Sequence, residues 1–158
     1  MPGVVSDTTV LSNFAHAQRP DFLQSAFPNL AVPPAVRSEL RQGEQEGRIP
    51  VCDWDWLQPI ALSEAQQQLA DDFSQTLGRG ESECIALALE RGWLLLTDDR
   101  DARRVAVDRA VSISGTLGSL VILVDRQVLS RTEADDHLRV MIASGYHSPV
   151  RSLSELDL

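Results

Sequence analysis

Short apolar runs alternate with helix-patterned segments along this chain, and that alternation constrains the fold more than any other feature. Val4-Val5-Ser6, Leu30-Ala31-Val32, Trp93 to Leu96 and Val111 to Ile113 are all of strand length. Between them, apolar residues recur at helical spacing. Strands joined through helices belong to a parallel sheet covered on both faces. In such sheets, sites form at the C-terminal ends of the strands.

The segments follow in order. After Ser6, Asp7-Thr8-Thr9 supplies helix-start residues, and Val10, Leu11, Phe14 and Ala15 continue as a helix. Pro20 opens a second short helix, Asp21 to Phe27. Pro33-Pro34 ends the strand at Val32 and starts a helix reaching Glu46, with Gly47 as C-cap. Ile49 to Asp53 reads as a short edge strand. Ser63 to Leu77 reads as a polar helix with Leu69 and Phe73 inward. Gly78-Arg79-Gly80 breaks the chain, and Glu81 to Arg91 is a strong helix closed by Gly92. Trp93 to Leu96, apolar throughout, suits a buried central strand. Ala102 to Ala106 and Ser119 to Arg126 are further helices, the second introduced by Gly115-Thr116-Leu117-Gly118. Thr132 to Ser144 is the last long helix, with Thr132 as candidate N-cap. Residues 145 to 158 read as a tail or a final short helix.

The length of 158 residues fits one domain, 1–158, able to bury a core without staples. The longest aliphatic run, Leu120 to Val124, is far short of the roughly 20 residues a membrane span needs. The N-terminus has no basic start followed by an apolar stretch, so a cytoplasmic protein is expected. Cys52 and Cys84 lack metal-ligand spacing and read as free buried thiols. His16, His137 and His147 show no ligand spacing either. Trp54, Trp56 and Trp93 read as core or interface residues.

All 14 basic residues are Arg. The absence of Lys removes P-loop nucleotidases, kinases and Schiff-base chemistry. A net charge of −9 argues against a broad basic face for duplex nucleic acid. It does not exclude a nuclease whose own metals attract phosphate.

The acids carry the functional signal. Asp7 ends the first strand, and Asp98 and Asp99 end another. Glu39 lies on the helix after the second strand, and Glu81 and Glu83 open a helix behind a glycine break. Converging carboxylates repel unless a divalent cation compensates them. Oxygen ligands suit Mg²⁺ or Mn²⁺. The alternative role of Asp7, Asp98 and Asp99 is helix capping, and of Glu39 a solvated helix position. Glu81 and Glu83 differ by about 200° around a helix, so they cannot point the same way. Glu81 shares its face with Cys84, Ile85 and Ala88, the inward side; Glu83 shares the polar side with Glu90. Arg100, Arg103 and Arg104 follow the acids directly. They either hold nucleic-acid phosphate or form a charged helix face beside their own acids.

Val5-Ser6-Asp7-Thr8-Thr9-Val10-Leu11 resembles the opening of PIN-domain proteins. Val32-Pro33-Pro34-Ala35-Val36-Arg37-Ser38-Glu39-Leu40 resembles their second motif. Glu81 through Gly92, then Leu95-Leu96-Thr97-Asp98-Asp99, resembles the third and fourth. The run from Gly80, with Asp98 to Arg103 and Gly115 to Gly118, is most similar to a bacterial and archaeal branch related to VapC-type toxins. The resemblance covers about residues 3 to 125. It implies a three-layer α/β/α sandwich around a mostly parallel sheet. It implies Asp7, Glu39, Glu81 and Asp99 as the acids holding Mg²⁺ or Mn²⁺, with Asp98 and Glu83 as neighbouring candidates. The hydroxyls of Thr97, Ser6 and Thr8 would support them, Thr97 by orienting Asp7.

The activity then expected is metal-dependent hydrolysis of single-stranded RNA. The resemblance further implies a possible small antitoxin that blocks the acids, and a possible homodimer. The competing reading is a PIN-like module that binds RNA or protein without catalysis. A haloacid-dehalogenase-type phosphohydrolase fits poorly, since Thr9 stands where its second Asp belongs and the required Lys is missing.

Overall fold

The computed structural model describes residues 3–156; the ends of the expected 1–158 domain and of the 145–158 tail fall outside them. Its frame is a five-stranded sheet in the order β3-β2-β1-β4-β5, with every neighbouring pair parallel. The strands are β1 (Val4–Ser6), β2 (Ala31–Val32), β3 (Gln58–Pro59), β4 (Leu94–Leu96) and β5 (Ile113–Ser114). The helices are α1 (Thr8–His16), α2 (Pro20–Ala26), α3 (Pro34–Gln45), α4 (Glu64–Phe73), α5 (Arg79–Arg91), α6 (Arg100–Asp108), α7 (Thr116–Asp125) and α8 (Arg131–Ala143). A 3-10 turn, Leu153–Glu155, docks on α8. This is the expected three-layer α/β/α arrangement. One helical group is centred on α5, which packs against α3, α4, α6, β1 and β4; the other joins α1, α2, α7 and α8.

The chain leaves β1 toward β2 and β3, then returns to the other flank for β4 and β5. The order therefore reverses between β1 and β4, where open α/β sheets leave a crevice at the strand ends. Register fixes what meets there. Val4, Val5 and Ser6 pair with Leu94, Leu95 and Leu96. The Asp7 N–H continues the ladder to the Leu96 carbonyl at 3.1 Å, so Asp7 and Thr97 arrive side by side. Val5, Leu95, Leu96 and Ile85 are fully buried beneath this edge.

Several boundaries differ from the sequence reading. Ile49 to Asp53 forms no strand. Pro50 has no N–H to donate, and the Ile49 N–H closes the end of α3 on the Gly43 carbonyl at 3.1 Å. The edge strand is instead β3, where Gln58 and Ile60 donate to Leu30 and Val32; Pro59, between them, needs no ladder donor. Ser130, not Thr132, caps α8, in a capping box with Glu133. The Gly78-Arg79-Gly80 break shrinks to a cap at Gly78, because glycines at the first turn add no strain to a helix start. Helix α7 starts at Thr116, because Gly115 in extended conformation is its N-cap. Helix α4 ends at Phe73. Gly47 (φ 74°) and Gly92 (φ 68°) stop α3 and α5 in the left-handed conformation, as expected.

Helix α5 also corrects the facing of its two acids. It is buried nearly all round, from Ser82 to Ala88, so it has no polar side at Glu83. Glu83 is buried while Glu90 is exposed. The Glu83 carboxylate spans two groups: its Oε1 accepts the Ala35 N–H at 3.0 Å and its Oε2 the Arg79 guanidinium at 2.9 Å. Ala35 lies in the first turn of α3, whose N-cap, Pro33, has no side-chain acceptor. Glu83 supplies from another helix the capping that Pro33 cannot.

Candidate active site

Asp7 is the deepest acid, 1 % exposed, at the end of β1 beside the end of β4. Its Oδ1 accepts the Thr9 N–H at 3.0 Å and the Thr9 hydroxyl at 2.6 Å; its Oδ2 accepts the Thr97 hydroxyl. Thr97 Oγ1 in turn accepts the Asp99 N–H at 3.1 Å, and Thr9 Oγ1 accepts the Asp98 N–H at 2.9 Å. Two threonines thus bolt the end of β1 to the end of β4. Burial pushes the Asp7 carboxyl up to about 7, opposed by the two threonine bonds and aided by the charges of Asp98 and Glu81.

The other acids lie around it at increasing exposure. Asp98 Oδ1 accepts the Thr116 N–H at 3.0 Å, and Oδ2 accepts from Asn13 at 2.9 Å and from the Thr116 hydroxyl at 2.5 Å. Asp99 caps α6 through the Ala102 N–H at 2.8 Å. Glu81 receives the Gly78 N–H at 3.0 Å. Its carboxyl is raised by partial burial first, then by the charges of Asp99 and Glu39 among others. Glu39, exposed on α3, accepts the Gly80 N–H at 2.9 Å and the Thr8 hydroxyl at 2.7 Å. Two glycines make room for this packing. A Cβ at Gly80 would overlap the Glu39 carboxylate, and one at Gly115 would overlap Asp98 Oδ1.

Asp7, Glu39, Glu81, Asp98 and Asp99 therefore lie near enough at the strand ends to raise one another's proton affinity, Asp98 and Glu81 acting on Asp7 and Asp99 and Glu39 on Glu81, whereas Glu83 is turned to Arg79 and α3. Among the described residues none of those five makes an ion pair, while Glu83 does. Also among the described residues, no three potential ligands converge closely enough to enclose a metal ion. The donor set still fits a hard cation in kind: it is oxygen-only, unneutralised, and includes a carboxyl raised by burial. Mg²⁺ in particular keeps several waters and needs only one or two carboxylates.

Capping and clustering coexist here. Asp7 caps α1 and Asp99 caps α6 while both belong to the acid cluster at the strand ends. Of the three supporting hydroxyls expected, Thr97 holds Asp7 and Thr8 holds Glu39. Ser6 does neither: its hydroxyl donates to the Asp7 carbonyl at 2.9 Å. The sequence reading missed Thr9, Asn13 and Thr116, which hold Asp7 and Asp98. Thr9, two residues after Asp7, was legible as an Asx-type partner; Asn13 and Thr116 are 85 and 18 residues from Asp98 and carried no local signal. The arginines divide. Arg103 is tied to the end of β4, donating to the Thr97 carbonyl at 2.7 Å, while Arg100 and Arg104 are exposed.

A family model described as a PIN domain matches residues 3–156, nearly the whole chain. The chain belongs to the PIN-domain family. The PIN superfamily is nuclease-like. Five chains of solved structure match the fold. One is the crystal structure of PAE2754 from Pyrobaculum aerophilum, at TM-score 0.56 and 16% identity, covering 78% of this chain and 90% of that one. At that identity the likeness is one of fold. No curated protein matches the sequence. No helix among the described residues is long and apolar enough to cross a membrane.

Proposed function

We propose that this PIN domain is a metal-dependent endoribonuclease acting on single-stranded RNA. The observation that carries the reading is the set of five neighbouring carboxylates at the ends of β1 and β4 that make no ion pair among the described residues. They include one buried acid whose proton affinity is already raised. Asp7, Glu39, Glu81 and Asp99 would hold Mg²⁺ or Mn²⁺, with Asp98 beside them. The chemistry such a cation supplies when bound is Lewis-acid activation of water and neutralisation of phosphate charge.

The chain's own contribution is placement. Thr9 and Thr97 fix the Asp7 carboxylate, Thr8 and the Gly80 amide fix Glu39, and the α5 and α6 N-termini orient Glu81 and Asp99. Cys84 is not set up as a nucleophile: it is buried, its thiol donates to the Ser6 carbonyl, and burial raises its pKa well above the usual thiol range. The test is cleavage of a single-stranded RNA in Mn²⁺ or Mg²⁺, with EDTA as control. Asp7→Asn should lose nearly all cleavage while melting cooperatively; full activity in that variant would refute the mechanism. Metal-induced thermal stabilisation without cleavage would instead favour the non-catalytic module. The same proposal includes a small antitoxin whose basic side chain covers the acids, and a homodimer. Growth arrest on induction and the elution volume on gel filtration test these two.

A further inference from the structure

Two depressions adjoin at the acidic edge. One, of about 520 Å³, lies over Thr9, Asn13, His16 and Asp99. The other, of about 750 Å³, continues past Arg104, Val107 and Gly118 along α6 and the start of α7. Asp98, Arg100, Tyr146 and His147 border both, so the two form one trough running past Asp98 and Asp99. Its far wall comes from the irregular segment after α8, which passes from Gly145 to Pro149 before the 3-10 turn docks on α8. Tyr146 is half-buried there, anchored by its N–H to the Met141 carbonyl at 3.0 Å, and His147 beside it is exposed.

The charges along the trough are uneven. Arg103 is committed to the Thr97 and Ser114 carbonyls. Arg100 has no carboxylate partner among the described residues, and Arg104 has only a 3.8 Å contact with exposed Asp101. In a chain of net charge −9, two guanidinium groups available to a ligand line the trough that passes Asp98 and Asp99. Guanidinium groups beside a tyrosine and a histidine suit a polymer that offers phosphates and unstacked ring faces together. A single nucleic-acid strand does so; in a duplex the bases are stacked on one another.

We propose that this trough is the track of the RNA strand, with Arg100 and Arg104 on phosphates and Tyr146 and His147 as stacking surfaces for the bases next to the acids. The assignment rests on the ribonuclease reading and adds which residues hold the substrate and the path it takes.

The test is binding of a short fluorescein-labelled single-stranded RNA to the full chain, by anisotropy, in EDTA and again in Ca²⁺, over a range of salt. Tyr146→Ala should weaken binding about 10-fold with little change in salt dependence, as loss of a stacking contact does. Tyr146→Phe should bind like the native chain. His147→Ala should weaken binding severalfold, and as an exposed residue it leaves the fold intact. Arg104→Ala should lower the slope of log affinity against log salt by about 0.7, the value for one phosphate contact on a single strand. The proposal is overturned if the native chain binds no RNA in either buffer, or if the alanine variants at Tyr146, His147 and Arg104 all bind like native. Cleavage in Mn²⁺ is followed in parallel. RNA that binds with the expected variant pattern but is not cut would sink the ribonuclease reading and leave the track standing. Cleavage with unchanged binding in all three variants would do the reverse.

Discussion

Asp7 shows how one buried side chain links stability to function. Its carboxyl is held near 7 in the fold and near 3.8 when unfolded. The native state therefore keeps a proton that the unfolded chain releases between about pH 4 and 7. Without metal, stability should fall as pH rises through that window, by up to roughly 4 kcal/mol from this group. Asp7→Asn removes the titration, so in EDTA it should be more stable than the native chain at pH 8, with the gap closing toward pH 4. Melting curves across that range would show this. An equal gap at both ends would mean that the buried carboxylate is not the source. Thr97→Val preserves shape and deletes both the donor to Asp7 and the acceptor for the Asp99 N–H. It should cost about 1–3 kcal/mol at neutral pH and weaken Mn²⁺ stabilisation, since the Asp7 carboxylate loses one of its two hydroxyl donors.

At the scale of elements, helix termini do the positioning. Helix α5 reaches Glu39 through the Gly80 amide and the α3 N-terminus through Glu83. Glu83→Ala leaves the Ala35 N–H and Arg79 without this partner and should cost about 1–3 kcal/mol; Glu83→Gln, which can still accept from Ala35, should recover part of it in urea unfolding. Gly80→Ala separates stability from binding. Alanine favours a helix over glycine by about 1 kcal/mol, and exposed Glu39 can swing clear of the new methyl. The variant should therefore fold at least as well as native while binding Mn²⁺ more weakly. At Gly115 the added methyl would press on Asp98 and approach the Thr97 carbonyl at 3.0 Å; because backbone cannot swing aside, Gly115→Ala should be destabilising. Ala110, two residues beyond α6, stands at φ 59°, a left-handed position that favours glycine. Ala110→Gly should stabilise by about 0.5–1 kcal/mol, measured by the same unfolding curves.

For the whole molecule, residue order alone determines whatever rests on local pattern. The alternation of apolar runs and helices determines a parallel sheet with helices on both faces, because side-chain period and length alone separate strand from helix. The motif order likewise places Asp7, Asp98 and Asp99 at strand ends and Glu39 and Glu81 on the adjoining helices. The absence of Lys excludes several kinds of chemistry outright. Local pattern misleads where it allows two outcomes: the apolar content of Ile49–Asp53 resembles a strand, whereas β3 exists only through its bonds to β2. The facing of Glu83 misleads for a related reason. A helix wheel assumes one solvent side, and α5 is enclosed by α3, α4, α6 and the sheet. Tertiary structure alone decides which distant groups touch: Asn13 and Thr116 on Asp98, Gly80 beneath Glu39, and Tyr146 and His147 across the trough from the acids. These contacts depend on strand register and helix packing, which sum over the whole core and leave no trace in the spacing of residues along the chain.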